Sequence, residues 1–317
     1  MNDKKINKWL RRRFGPVSWA LVGYHVLMTL LVSAAMLTDE IAGYLRAFAR
    51  GDFRYIPDMD ALSGNGWGYI LAAAAALVIL YAWKGGDFWG GEVLAREKPM
   101  RPEAFACMLC LCVGAQTVNS LWISLLELVM NLFGRSAIGT LEAVSGSSDT
   151  VSMFLYAAIL APVSEELIFR GFVLRSLRPY GKRFAILCSA FLFGIFHGNL
   201  LQTPYAFLMG LVLGYTAVEY TIGWSMAIHI FNNLVLADLL SRLTANLPEA
   251  AVSAIDLAIF GGCFAAALAV LIVNRGKIRE YRSEWIDRRC LKCFFINGGM
   301  TVLMILMLIN MILALSA

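Results

Sequence analysis

Long apolar blocks separated by short polar segments run through the whole sequence. A helix needs about 20 mostly apolar residues to cross the hydrocarbon core of a bilayer. The alternation of apolar and polar residues that a membrane barrel requires is absent from the sequence. The pattern therefore predicts an all-α, polytopic bundle of about eight to nine spans, with a turn at Thr203-Pro204. The predicted spans are 15–37, 67–83, 105–133, 151–174, 184–201, 205–222, 224–241, 252–274 and 294–316.

The basic residues predict how this bundle is oriented, because short cytoplasmic loops are enriched in Lys and Arg. With the N-terminus inside, the inner segments hold six, four, five and seven Lys or Arg residues, which is 22 of the 27 in the chain. These segments are 1–14, 84–104, 170–183 and 275–293. We therefore predict a multi-pass protein of the cell membrane whose N-terminus is cytoplasmic. The first basic segment and apolar run resemble a secretory signal, but the run is longer than a usual signal core and predicts a retained anchor.

The composition agrees with a membrane protein and excludes several other classes. Hydrophobic residues make up 59% of the chain and charged residues 15%, and the mean hydropathy is +0.68. Soluble domains have about 45–50% apolar and about 25% charged residues. A disordered protein, a disulfide-knit secreted module and a typical cytosolic enzyme are therefore excluded. The net charge of +5 is explained by the orientation, so the partner is the lipid bilayer and no nucleic acid is predicted.

Ionisable residues inside the apolar spans are the candidates for function, because each costs about 2.5–3.5 kcal/mol at the bilayer centre. The adjacent pair Glu165 and Glu166 is the most costly arrangement. Arg170 lies one helical turn after Glu166, on the same face and within reach of an ion pair. The spacing predicts that Arg170 holds one carboxylate while Glu165, elsewhere around the helix, faces a cavity. Two of the three histidines, His197 and His229, also lie within spans.

Four-residue spacings bring further polar groups onto shared helix faces. Phe193 and His197 share one face, and His229 and Asn233 share another, with Asn232 as an alternative amide. Polar residues of this kind also hold helices together in lipid, so each pair by itself is ambiguous. Together, the pairs on three neighbouring spans predict one polar cavity inside the bundle. The remaining acids are predicted to line bundle contacts or to lie near interfaces, and they are Glu127, Glu219, Asp238 and Asp256.

At these residues the sequence resembles the CAAX protease and bacteriocin-processing family of intramembrane proteases, which includes the type II prenyl endopeptidases. The resemblance covers about residues 150–237. It predicts N-terminal spans over 1–149, a catalytic core over 150–240 and C-terminal spans over 241–317. The family's motifs stand here as Glu165-Glu166-Leu-Ile-Phe-Arg170, Phe193-Gly-Ile-Phe-His197 and His229-Ile-Phe-Asn-Asn233.

The resemblance implies an endopeptidase that hydrolyses peptide bonds of membrane-associated proteins or peptides. By resemblance, Glu165 would activate the attacking water with the help of His197. His229 and Asn233 would stabilise the oxyanion, and Glu166 with Arg170 would order the site. The substrate classes that the resemblance implies are prenylated CAAX proteins, signal or pheromone peptides and bacteriocin precursors.

Two questions stay open on the sequence. Members of this family are often described as metalloproteases, and Glu165, His197 and His229 would be the ligands if a divalent metal such as zinc is bound. A metal-free mechanism uses the same residues, and no further cofactor-binding residues are predicted. The alternative functions are a proton-coupled transporter with a Glu/His relay, which predicts inverted repeats, and a non-catalytic membrane scaffold of the same fold.

Overall fold

The computed structural model describes residues 3–58, 62, 64–95, 98–136, 150–283 and 286–316. These residues are helical wherever they form regular structure. The helices are α1 (Asp3–Ala49), α2 (Trp67–Val93), α3 (Pro102–Asn131), α4 (Val151–Tyr180), α5 (Lys182–Phe196), α6 (Thr203–Glu219), α7 (Ile222–Thr244), α8 (Glu249–Val273), α9 (Arg275–Ser283), α10 (Arg288–Phe295) and α11 (Gly298–Ser316).

The predicted helical membrane bundle is confirmed. Within the described ranges, seven helices are long and apolar enough to cross a membrane, namely α1, α2, α3, α4, α7, α8 and α11. The two other predicted spans correspond to α5 and α6, which are shorter. With 15 and 17 residues, they extend over about 22 and 26 Å, less than the roughly 30 Å of a hydrocarbon core.

The turn between α5 and α6 lies earlier than the sequence predicts. α5 ends at Phe196, and Gly198 then adopts a φ of +66°, which only glycine enters at little cost. The Asn199 side chain accepts a hydrogen bond from the backbone N–H of Gln202 at 2.8 Å and so holds the turn. Pro204 occupies the first turn of α6, where its missing N–H costs nothing. The turn therefore places His197 directly after a helix end, inside the bundle.

Helix α1 is much longer than the predicted first span. Its 47 residues extend over about 70 Å, more than twice the thickness of a hydrocarbon core. The polar residues after 37 continue the helix to Ala49. Before the predicted span, Leu10 and Phe14 are buried in the main core. The first basic segment is therefore helical, and its apolar side packs against the rest of the bundle.

Segment Glu166–Leu174 of α4 lies at the centre of the bundle, in contact with α5, α6 and α7. Around it, α6 packs against α5 and α3, and α1 packs against α2 and α11. The core between these helices is rich in buried phenylalanines, which are Phe14, Phe169, Phe172, Phe184, Phe193 and Phe294. The central position means that polar side chains on this part of α4 are shielded from both lipid and water.

The spacing of Gly210 and Gly214 predicts close helix packing, and the structure confirms it. A Cβ on Gly210 would lie 3.0 Å from Cα of Ala190, and one on Gly214 would lie 3.2 Å from Cγ2 of Ile186. The absence of side chains lets α6 approach α5 closely. This approach draws the helices that carry the polar residues together.

Candidate active site

Glu166 is the centre of a buried polar cluster. Its Oε1 atom lies 2.9 Å from Nη1 of Arg170 and accepts a hydrogen bond from Nδ1 of His229 at 3.0 Å. Its Oε2 atom accepts a hydrogen bond from the Ser225 hydroxyl. The side chains of Glu166 and Arg170 are fully buried, and His229 is 3% exposed. These three contacts hold Glu166 in place. The predicted ion pair of Glu166 with Arg170 is confirmed by the 2.9 Å contact.

The attraction between a buried carboxylate and a buried guanidinium offsets part of their loss of hydration, and further contacts must offset the rest. Arg170 has a second stabilising contact, because its guanidinium carbon lies 4.1 Å from the centre of the Phe193 ring, in cation–π geometry. The same ring meets His229 edge-on at 5.6 Å and His197 edge-on at 4.9 Å. Phe193 is thus the surface on which the charged and imidazole groups of α4, α5 and α7 converge.

Glu165 differs from its neighbour in accessibility and in partners. Its side chain is 24% exposed, and Oε2 lies 3.7 Å from Nε2 of His229. Because Nδ1 of His229 donates to Glu166, the imidazole is oriented with Nε2 toward Glu165. The two adjacent acids therefore have different environments: Glu166 is enclosed, and Glu165 is open to a water or a substrate.

His197 contacts the same Phe193 ring as His229. Its Nδ1 atom lies 2.9 Å from the backbone oxygen of Phe193, and because a carbonyl only accepts, Nδ1 carries the proton of this hydrogen bond. Nε2 is then the nitrogen that can interact with a ligand. Within the described residues, His197 forms no ion pair with Glu165 or Glu166. The structure thus brings His197 to the same ring as the cluster without a direct bond to the acids.

Asn233 is held by a chain of hydrogen bonds. Its Nδ2 donates to the backbone oxygen of Ala157 at 3.0 Å, and its Oδ1 accepts from Nδ2 of Asn232 at 3.1 Å. Oδ1 of Asn232 in turn accepts from the Tyr205 hydroxyl. These hydrogen bonds fix which side of the Asn233 amide carries the N–H groups. One N–H points to Ala157, and the second remains as a donor.

The predicted zinc ligands do not form a metal-binding group as they are placed. Glu165 and Nε2 of His229 are neighbours, but no three His, Cys, Asp or Glu side chains of the described residues lie close enough to hold one ion. Zinc in a catalytic site takes three protein ligands. As placed, these donors therefore do not fit a resident metal. The chemistry available at the site is that of the protein's own side chains.

Three residues in or near the cluster are not among the site residues that the sequence predicts. Ser225 lies one helical turn before His229 on α7, so the same four-residue spacing could have identified it. Tyr205 offers no local signal, because its contact to Asn232 depends on how α6 meets α7. His25 lies within the first predicted span and is not among the predicted site residues. Its ring meets Phe196 edge-on at 6.0 Å, beside the turn that carries His197.

Three of the remaining predicted acids, Glu127, Glu219 and Asp238, pair with other side chains. Asp238 pairs with its helix neighbour Arg242 at 2.8 Å, and Glu127 accepts a hydrogen bond from Ser136 at 3.0 Å. Glu219 forms ion pairs with Lys98, at 2.8 Å, and with Lys182. The hydrogen bond to Glu219 raises the pKa of Lys98 above its usual value. None of these pairs belongs to the central cluster.

Replacing Ser225 by alanine tests whether the cluster positions its members for chemistry. The change removes one hydrogen bond to a buried carboxylate, so we expect the free energy of unfolding to fall by about 2 kcal/mol. We also expect a lower kcat with little change in KM, because His229 shares Glu166 with Ser225 and loses part of its orientation. Ser225→Thr keeps a hydroxyl and should restore most of the rate.

Ser189→Ala is the matched control for this experiment. Ser189 is also fully buried, and its hydroxyl donates to the backbone oxygen of Phe169 at 2.8 Å, away from either acid. This variant should lose stability and keep its kcat. Equal losses of kcat in the two variants would show that Ser225 has only a structural role.

Fold and site together define a helical membrane protein with a carboxylate–guanidinium–imidazole cluster in its interior. Residues 147–235 match a family model described as Type II CAAX prenyl endopeptidase Rce1-like. The match covers part of the chain, and it confirms the resemblance seen in the motifs. It contains all six predicted site residues. No curated protein and no solved structure matches the chain.

Proposed function

We propose that this chain is an intramembrane endopeptidase of the cell membrane that hydrolyses membrane-associated proteins or peptides with a water activated by Glu165. The observation that carries the proposal is the division between the two adjacent acids. Glu166 is enclosed by Arg170, His229 and Ser225, whereas Glu165 is accessible and faces Nε2 of His229. A carboxylate that activates water must be free to accept a proton, and the residues around it must hold it in a fixed position.

The first chemical step is attack on the scissile carbonyl. Glu165 removes a proton from a water molecule, and the water oxygen forms a bond to the carbonyl carbon. The carbonyl π electrons move to the oxygen, which becomes an oxyanion. Nε2 of His197 can accept a hydrogen bond from the same water, because its Nδ1 proton is directed to the Phe193 carbonyl. These contacts support the assignment of His197 as a positioning group for the water.

The second requirement is stabilisation of the oxyanion. The unengaged N–H of Asn233 is one donor, and its direction is set by the hydrogen bonds to Ala157 and Asn232. His229 can be the other donor only when it carries both protons, since its Nδ1–H is already directed to Glu166.

Collapse of the tetrahedral intermediate completes the reaction. Glu165 returns the proton to the amide nitrogen, a lone pair of the oxyanion re-forms the carbonyl π bond, and the C–N bond breaks with its electron pair staying on the leaving amine. Loss of a single oxyanion donor typically costs about 100- to 1,000-fold in rate. Losing either His229 or Asn233 should therefore slow cleavage without preventing substrate binding.

The proposal is tested with the purified full chain in lipid vesicles and a panel of membrane-anchored peptides, some with a lipid-modified C-terminus and some without. Mass spectrometry of the products should show hydrolysis of a single peptide bond. Because no three donor side chains of the described residues lie close enough to hold one ion, treatment with a chelator should leave the rate unchanged. Metal analysis should find less than one ion per chain.

Loss of cleavage on chelation, with recovery on adding zinc, would contradict the metal-independent mechanism while supporting the endopeptidase. Proton-coupled movement of an intact peptide into the vesicles, without any cleavage product, would instead support the transporter. Binding of the peptides without cleavage or transport would support the scaffold.

A further inference from the structure

Two cavities meet at one side chain of helix α1, and neither is lined by a residue of the acid cluster. The first, of about 770 Å³, is bordered by the basic first turns of α1 and by the start of α11. The second, of about 730 Å³, lies between α1, α2 and α4 and is almost entirely apolar. Trp19 borders both. Each has the size of a typical small-molecule site, roughly 300–1,000 Å³.

The charged side chains around the first cavity are all cationic. Lys8, Arg11 and Arg12 border it from α1, and all three are exposed. Asp3, the acid nearest to them in sequence, pairs instead with Arg289 at 3.0 Å. Within the part of the chain that the structure describes, none of the three cations forms an ion pair. An anion in this cavity would therefore be attracted by several positive charges at once.

The second cavity continues from Trp19 along the next turns of α1. Its lining includes Leu27 and Leu30 of α1 and two residues of α4, Ile168 and Phe172. The stripe on α1 that borders both cavities changes from cationic to apolar at Trp19, which is 53% exposed. Tryptophan is enriched at the boundary between headgroups and hydrocarbon, where its ring contacts both.

We propose that the two cavities form one binding site for an anionic phospholipid of the surrounding bilayer. The phosphate of the headgroup lies among Lys8, Arg11 and Arg12, and one acyl chain follows the apolar cavity past Trp19. A free phosphate would use the first cavity alone, and a neutral lipid would use the second alone. A phospholipid with a net negative charge is the ligand that uses both. The proposed lipid site shares no lining residue with the proposed endopeptidase site and does not depend on its activity.

Titration of the purified full chain with lipid in a neutral detergent, followed by native mass spectrometry, tests the proposal. The probes are phosphatidylglycerol, phosphatidylcholine and inorganic phosphate. We expect saturable binding of one phosphatidylglycerol, weaker binding of phosphatidylcholine and no displacement by phosphate at equal concentration. In the double variant Arg11→Gln/Arg12→Gln, phosphatidylglycerol should bind about 30-fold more weakly, since each cation near a membrane surface contributes to anionic lipid binding.

The apolar cavity is tested separately by Gly23→Leu. Gly23 borders the cavity, and a Cβ at this position meets no atom within 4 Å, so leucine can extend into the space that the acyl chain would occupy. Leucine also favours a helix over glycine, so the fold should not suffer. The variant should lose phosphatidylglycerol binding while its unfolding temperature stays the same or rises.

Two control variants make the comparison specific. Lys277→Gln/Arg279→Gln removes two exposed cations of α9 outside the cavity, and Gly262→Leu adds leucine at an open position of α8. Both should bind phosphatidylglycerol like the parent. Equal loss in the α9 variant would mean that only diffuse surface charge attracts the lipid, and the proposed site would be wrong. Full displacement of phosphatidylglycerol by inorganic phosphate would identify a simple anion site. Displacement of phosphatidylglycerol by a lipid-modified peptide, to the same extent in the arginine variants, would assign the apolar cavity to substrate. Either result would overturn the proposal.

Discussion

Replacing Glu165 by glutamine should lower the rate of peptide cleavage about 1,000-fold, within the range that a general base contributes. Glutamine keeps the shape of the side chain and cannot accept a proton from water at neutral pH. Glu165 is 24% exposed, and its nearest charged partner is Nε2 of His229 at 3.7 Å. Because glutamine keeps the shape of the side chain and the 3.7 Å separation is longer than a hydrogen bond, the substitution should lower the unfolding temperature by no more than a few degrees.

The measurement compares initial cleavage rates and thermal unfolding of the parent and the variant in the same vesicles or micelles. Glu127→Gln is the matched control, because it makes the same change on another membrane-spanning helix at a residue bonded to Ser136. Cleavage by this control should match the parent. A Glu165→Gln variant that is folded and cleaves as fast as the parent would show that Glu165 is not the base.

His197→Gln separates the two groups that are proposed to contact the water. Because His197 forms no ion pair with either acid within the described residues, its replacement removes a hydrogen bond to the water and leaves the base in place. The loss of rate should be smaller than for Glu165→Gln. Equal losses in the two variants would mean that the imidazole takes part in the proton transfer itself.

The sequence predicted those features of the site that belong to a single helix. The ion pair of Glu166 with Arg170 follows from a four-residue spacing, and the structure shows it at 2.9 Å. The different surroundings of Glu165 and Glu166 follow from the angle between consecutive residues of a helix. Such relations depend on helix geometry alone, so they can be derived without knowing the neighbouring helices.

Contacts between helices could not be derived in this way. The hydrogen bond of Ser225 to Glu166 joins α7 to α4, and the convergence of Arg170 and the histidines on Phe193 requires the positions of three helices. These positions depend on side-chain shape and on close approaches such as that at Gly210. The spacing of polar residues along the sequence identifies the polar face of a helix. It does not identify the neighbouring helix that this face contacts.

Helix ends were the other source of error. Hydropathy predicted a span to residue 201, whereas α5 ends at Phe196 because Gly198 adopts a positive φ and Asn199 stabilises the turn. Helix α1 instead extends beyond its predicted span, since the polar segment after residue 37 continues the helix to Ala49. Apolar content measures how well a segment fits the bilayer, and backbone conformation and capping decide where the helix stops.

Replacing Arg170 by methionine should produce the largest loss of stability among the variants considered. The change leaves the carboxylate of Glu166 fully buried without its guanidinium partner, and breaking a buried ion pair in this way costs about 3–5 kcal/mol. Methionine preserves much of the side-chain volume, so the cost reports on charge more than on packing. Unfolding of the detergent-solubilised chain, followed by helical circular dichroism, should shift to a clearly lower temperature or denaturant concentration.

Arg242→Met is the matched control, because Arg242 pairs with Asp238 at the same four-residue spacing and its side chain is 52% exposed. Its cost should be well below that of Arg170→Met, because the Arg242 guanidinium is half exposed, although the Asp238 side chain is only 12% exposed. The double variant Glu166→Gln/Arg170→Met should recover part of the stability, since no uncompensated charge remains. It should not recover cleavage, because Glu166 also orients His229 through Nδ1. A double variant that cleaves like the parent would show that the buried pair maintains the fold and has no part in ordering the site.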